Sequence, residues 1–246
     1  MCIAYTFDMC IAYTMCIPYT YIHSEGVYTY AYVCTHTQVS AMCVLPSRGS
    51  IMVAGSFTRA FNLQEPFVVQ TGGLALWRHS SNTSLPFWAL AAAYVQGSPS
   101  SLLCDDHNAE VFVGGPVKFM VTDDSSPSGL GGGAGLAMLS LRHTAWRSLG
   151  GVQGVIGGQV LAMAISSDDL YVGGDFVSIA GVSAPGLAVL RRFRHLDSAK
   201  WFEVASLDLG VVRAMVSRGP NIYFAGDFSR VNNLAARVAR FSPLPL

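Results

Sequence analysis

The heptapeptide LYVGGDF, residues 170–176, recurs as IYFAGDF at 222–228, VFVGGPV at 111–117 and IMVAGSF at 51–57. Each copy is an apolar run with β-branched and aromatic members, closed by a small residue and then a glycine. Such a run reads as a short strand ending where the backbone turns tightly or comes close to another chain segment. Four copies of one strand signal leave little room for any fold but a repeated β module. The closing glycines Gly55, Gly115, Gly174 and Gly226 lie 60, 59 and 52 residues apart.

The neighbouring sequence repeats with them. The third unit is the most complete: VLAMAIS (160–166), the turn residues Ser167, Asp168 and Asp169, LYVGGDF, GLAVLRR (186–192) and WFEVASL (201–207). Units one and two carry the same four segments, and unit four carries three, ending in ARVARF (236–241). The units are 39–98, 99–159, 160–211 and 212–246. A period near 50 with four strands per unit fits propeller blades better than helical or leucine-rich solenoids. The expected fold is all-β: a partial β-propeller of about three and a half four-stranded antiparallel blades. Trp88, Trp146 and Trp201 recur at the start of the last strand in three units, where a large side chain wedges between neighbouring blades. An open fan exposes sheet edges and blade faces. The chain is therefore expected to be a fragment of a longer protein, or else a small ring in which residues 27–37 supply the strand unit four lacks.

Residues 1–38 differ in kind. MCIAYT occurs at Met1 and Met9 and MCIPYT at Met15, and from Val27 to Thr37 the set Val, Thr, Ala alternates with Tyr, Cys, His. An alternating purine–pyrimidine DNA tract encodes such an alternation, so the segment reads as low-complexity sequence, disordered or translated from a simple repeat. A strand is the competing reading of the same alternation. Detection of its peptides by mass spectrometry of the natural protein would remove the translated-repeat reading.

Net charge is zero, with 12% charged and 51% hydrophobic residues, which gives no electrostatic case for nucleic acid or an anionic membrane. The longest apolar stretch, 87–95, is too short for the roughly 20 residues of a membrane span. Asp8 interrupts the amino terminus, which carries no basic leader pattern. Of six cysteines only Cys43 and Cys104 fall in the repeats. No disulfide framework or CxxC metal site results, and two buried reduced thiols are expected, a single bridge being the alternative.

An apolar strand ending in Gly-Gly or Ala-Gly, Asp-Phe, a variable loop, a Gly-Leu-Ala strand and a Trp strand resembles kelch-type propeller repeats. The pattern is most similar to the repeats of the fungal cortical cell-polarity marker family, with the closest match at 170–190 and at WRSLGGVQGVIGGQVLAM, 146–163. That resemblance implies a propeller outside the cytoplasm on a membrane-anchored protein, although this sequence shows no anchoring helix.

No catalytic signature emerges. The glycines at 129–135 follow no strand-to-helix unit and lack Lys-Ser/Thr, so they make no phosphate cradle. GVSAPG at 181–186 lacks nucleophile-elbow spacing. Asp175 and Asp227 follow the glycine pair in two units, with Ser56 and Pro116 in the others. Accepting backbone N–H bonds is the favoured role over lining a central cation site. Asp105–Asp106 and Asp168–Asp169 are expected as solvated turn caps. His107, His143 and His195 have no metal-pair spacing. Arg142, Arg191, Arg192 and Arg194, with Arg237 and Arg240, are candidate rim residues for an acidic partner, if equivalent hairpins line one rim; a solvated sheet edge is the alternative. Asn82 opens an Asn-Thr-Ser glycosylation sequon. The expected function is a non-catalytic scaffold binding a protein, or a glycan, through loops on one face, with no cofactor and no metal. The alternative is the ring of a secreted oxidase or hydrolase, which requires converging acids, histidines or a metal set.

Overall fold

The computed structural model describes residues 19–23, 26–30, 38–61, 68–70, 72–78, 87–90, 95–119, 134–143, 145–150, 153–195, 198–205, 207–208, 210–232 and 234–242. The one helical element among them is a 3-10 turn, Pro46–Arg48.

Four sheets follow one another along the chain. Counting only their strands, unit one holds β1 (Val39–Leu45), β2 (Ser50–Gly55), β3 (Leu74–Arg78) and β4 (Phe87–Leu90). Unit two holds β5 (Ser101–Asp105), β6 (Glu110–Phe119), β7 (Ala134–Ser140) and β8 (Ala145–Ser148). Unit three holds β9 (Val160–Ser166), β10 (Asp169–Gly174), β11 (Leu187–Arg191) and β12 (Lys200–Glu203). Unit four holds β13 (Val211–Arg218), β14 (Asn221–Asp227) and β15 (Val238–Phe241). In every unit each strand pairs antiparallel with the next, a simple meander.

Side chains alternate between the two faces of a strand, and the pairing register sets which residues share a face. The face each unit turns to its successor is called trailing, and the face turned to its predecessor leading. Cys43, Leu45, Met52, Ala54, Leu74 and Leu76 on the trailing face of unit one pack on Leu102, Cys104, Val111, Val113, Ala137 and Leu139 of unit two. Phe112, Leu136 and Met138 of unit two pack in turn on Met163, Leu170, Val172, Ala188 and Leu190 of unit three. Tyr171, Leu187 and Val189 of unit three meet Met215, Ile222, Phe224 and Phe241 of unit four. The first strands lie against one another in order: β1 on β5, β5 on β9, β9 on β13. Consecutive antiparallel sheets stacked face to face around their first strands form an all-β propeller fan, with three four-stranded blades and one of three strands among the described residues.

In units one, three and four the repeated glycine sits in one setting. A Cβ on Gly55 would lie 1.8 Å from the carbonyl oxygen of Gln38, on Gly174 2.0 Å from that of Gln159, and on Gly226 1.9 Å from that of Val211. All three contacts are with the residue just before, or opening, the first strand of the same unit. Opposite them the register slips at Val39/Ala41, Val160/Ala162 and Val212/Ala214, a β-bulge that presses the first strand onto the second. Unit two lacks the bulge and has Gly115 at φ +136° against Ser100 instead. The small residue before the glycine has its own neighbour. Cβ atoms on Gly114 and Gly173 would meet Val160 and Val212 of the following unit at 2.6 and 2.5 Å.

Four features depart from expectation. Cys43 and Cys104 form a disulfide, not two reduced thiols. They occupy facing positions on the trailing face of unit one and the leading face of unit two, which are brought together by packing, not by sequence spacing. The variable loops after the glycine motif carry short hairpins, Arg59–Phe61 with Val68–Gln70, Ser178–Ile179 with Val182–Ser183 and Arg230–Val231 with Leu234–Ala235. Chain preceding the first strand pairs with the segment after the motif in units two, three and four, through Val95–Gly97, Val155–Ile156 and Leu207. Finally, Gly26–Tyr30 pairs with Tyr19–His23, not with unit four. Residues 31–37 lie outside the described residues, and among the described ones unit four has three strands.

A candidate binding cleft between units two and three

The turn that follows β11, at 192–195, is inserted toward unit two. Arg192 takes φ 52°, and its N–H donates to Asp169 Oδ1 at 3.0 Å. The following Phe193 is fully buried, its ring edge-on to Phe112 of unit two at 5.4 Å. The N–H of Phe193 is satisfied by the Asp168 carbonyl. Its own carbonyl accepts from Arg147 Nη2 of β8 at 2.8 Å. The Arg194 guanidinium lies 4.3 Å from the centre of the Phe193 ring and is gripped by Asp105 at 2.5 Å, Asp168 at 3.1 Å and Glu110 at 3.9 Å. Two of those carboxylates come from unit two and one from unit three, so one cation ties the two blades in register.

The electrostatics follow from this burial. Desolvation raises the Asp105 carboxyl, but the Asn108 hydrogen bonds and then Arg194 outweigh it and leave the group below its ordinary value. Desolvation raises Glu110 above its ordinary value, with Arg194 only partly compensating. Desolvation lowers Arg147, and Glu110 partly restores it.

Beside this junction opens a cleft of about 210 Å³. Leu149, Leu190, Phe193 and Trp201 give it an apolar floor, with Ala180 and Ala199 at its sides and Arg147 and Ser148 as its polar members. The Trp201 indole is held by its N–H donating to the Leu149 carbonyl at 2.9 Å. Arg147 Nε has no hydrogen-bond partner. Chemically the cleft suits an apolar side chain next to an acceptor. Shape and charge are what it offers.

The expected site residues separate. Arg142 lies in the turn after β7, Arg191 ends β11, and Arg192 and Arg194 lie in the turn that follows it. Arg194 is engaged by carboxylates, Arg142 donates to the His107 carbonyl at 3.3 Å, and Arg191 stands 5.5 Å from the centre of the Phe202 ring. Arg237 lies at the opposite end of β15, next to Gly226, and Arg240 is exposed mid-strand. Trp146 is 2% exposed between units one and two, and Trp201 packs between units two and three. Trp88 is paired in register with Trp77. Asn82 and residues 129–133 lie outside the described residues. Asp175 accepts the backbone N–H of Gln159, and Ser56 accepts that of Gln38 at 3.1 Å, the same bond at the same place in two units. Asp227 pairs with Arg213 instead. Asp106 reaches into unit one, accepting from the N–H and hydroxyl of Ser47 at 2.8 and 2.6 Å. His195 is exposed, 3.6 Å from Asp168. Among the described residues no three metal-ligating side chains converge, and no helix is long and apolar enough to cross a membrane.

Sequence reading missed Glu110, Phe193 and the part Arg147 plays. Phe193 interrupts an arginine run, and a lone aromatic in a charged hairpin is the signal that was present. Glu110 gave none, since its burial depends on the neighbouring blade.

No protein-family model and no curated protein matches the chain. Among solved structures it is similar to U3-55K, at 11% identity over 85% of this chain and 53% of that one, with a TM-score of 0.47. It is similar also to a chain of a nidogen/laminin complex, at 12% identity over 90% of this chain and 69% of that one, with a TM-score of 0.43. The chain spans about half the length of the U3-55K chain.

Proposed function

We propose that the chain is a non-catalytic protein-interaction module, and that the cleft between units two and three is where a partner segment docks. The observation that carries this reading is the pairing of an apolar floor (Leu149, Leu190, Phe193, Trp201) with the half-buried Arg147 in one lining. A guanidinium beside apolar surface favours an incoming carboxylate or carbonyl, to which it donates a charge-assisted hydrogen bond. The occupant is thus an extended peptide segment presenting an apolar side chain beside an acidic one. The strong charges nearby are already spent on each other across the blade junction, which supports a rigid platform over a reactive centre.

Within that reading the module belongs to a cell-surface or cell-polarity protein of kelch-like repeats. The Cys43–Cys104 bridge supports an oxidising compartment, and the Asn82 sequon agrees with one.

The test is display selection with random peptides, followed by calorimetry on the enriched sequences. Peptides pairing an apolar residue with Asp or Glu are expected, and Ala199→Trp, which fills the cleft, is expected to weaken them at least about tenfold, or 1.4 kcal/mol. No enrichment, or binding indifferent to Ala199→Trp, would sink the assignment.

A further inference from the structure

Three times in this chain the trailing face of one unit is sealed by the leading face of the next. Among the described residues two faces of the same kinds have no such cover: the leading face of unit one and the trailing face of unit four. Neither has been converted to an ordinary polar surface. On unit four, Val216, Tyr223 and Val238 stand where Ala164, Tyr171 and Leu187 stand on unit three. In unit three these positions are 3%, 1% and 0% exposed beneath the following blade, whereas Val216 and Val238 are 60% and 68% exposed.

Unit one shows the counterpart. Met42, Val44, Ile51 and Trp77 hold the positions at which Met163, Ile165, Leu170 and Leu190 of unit three pack against unit two. Val53 and Ala75 on that face are packed with Phe57 of the same unit, while Met42 and Val44 are 46% and 57% exposed. Contiguous exposed apolar surface of this kind marks an association site.

We propose that two copies of this chain associate head to tail, the trailing face of unit four of each covering the leading face of unit one of the other. The occupant follows from the interface already used within the chain, whose two halves are the two faces left over. Arg240 sets the polarity. It takes the place of Val189, which packs with Phe241 of the next blade, and the unit-one equivalent of Phe241 is Trp77. Head to tail, Arg240 therefore meets the indole of Trp77 of the second copy, a favourable cation–π contact. Trailing face on trailing face would instead bring the Arg240 and Arg218 guanidinium groups of both copies together. A heterologous contact gives a closed ring only if its rotation closes. Counting the four units of described residues in each, two copies contribute eight, within the four to eight blades at which propellers close.

Sedimentation velocity and light scattering on the full chain at micromolar concentration test this. The wild type is expected at twice the 26.3 kDa chain mass. Val216→Glu with Val238→Glu, or Met42→Glu with Val44→Glu, is expected to give single chains. These side chains face solvent in the isolated chain, so both variants should retain the wild-type circular dichroism. An equimolar mixture of the two variants keeps one intact contact and is expected to recover a two-chain species. A single-chain wild type, an open-ended ladder of larger species, a variant that stays dimeric alone, or a mixture that stays monomeric would each overturn the proposal.

Discussion

Gly174 shows how a repeat position becomes invariant in character for a reason local to the backbone. Its φ is unexceptional, yet a Cβ there would lie 2.0 Å from the Gln159 carbonyl oxygen, where the bulged first strand crosses. Gly174→Ala is expected to cost about 3 kcal/mol in urea unfolding, as overpacking against backbone does. Gly219, with φ +56° and nothing within 4 Å, is the control: its alanine variant is expected to cost about 1 kcal/mol, from conformation alone. Equal losses at both sites would refute the close-approach account. The carboxylates around Arg194 make opposite predictions with pH. Asp105 titrates below its ordinary 3.8 in the fold, so it contributes stability above that pH and loses it as pH falls further, through the folded value. Glu110 titrates above its ordinary 4.5, so its ionised form costs stability at neutral pH, and that cost is relieved as pH falls through the raised value. Asp105→Asn should therefore narrow the stability difference between pH 6 and pH 3, and Glu110→Gln should widen it. Chemical denaturation at both pH values reads this directly, and the same sign for both variants would contradict the geometry.

Among the elements, the strands were legible and their ties to one another were not. The apolar run and glycines of the motif, 170–174, fall within β10, because β-branched and aromatic runs stopped by glycine are a local signal. The short hairpin Ser178–Ile179 with Val182–Ser183 was invisible. It turns through Ala180 and Gly181, both at positive φ, and an Ala-Gly pair carries none of the Asn-Gly or Asp-Gly signature of such turns. The cleft failed for a different reason. Trp201 reads from the sequence as a side chain between blades, but its meeting with Arg147 across a blade junction depends on how sheets stack, which no spacing encodes. The Cys43–Cys104 bridge belongs to the same class and gives the sharpest element-scale expectation. It fastens β1 to β5, so Cys104→Ser should lower stability by about 2–4 kcal/mol, and reductant should do the same to the wild type and nothing to the variant. Thiol titration of the unfolded, unreduced protein that finds both thiols free would end that expectation. Trp146, 2% exposed between units one and two, should be costlier still as alanine, at about 3–5 kcal/mol.

At the scale of the whole molecule, each unit contacts its neighbours and little else, so stability is close to a sum of blades and junctions. Units two and three are each covered on both faces, whereas in a single chain unit four is covered on its leading face alone and has three strands among the described residues. Opening should therefore begin there. The free energy of local opening falls with fewer buried apolar contacts and more solvent-facing backbone bonds. In the single-chain variant Val216→Glu with Val238→Glu, the amides of β14 are expected to exchange at least about tenfold faster than those of β10, a gap of about 1.4 kcal/mol. Tyr223 and Tyr171 make the closest comparison, since they hold the same position in adjacent blades. In the wild type, where a second copy would cover Tyr223, the gap should shrink. Hydrogen exchange read by mass spectrometry separates the cases. Equal protection of β10 and β14 in the single chain would mean that the fan opens as one cooperative body, and that blade-by-blade additivity does not describe it.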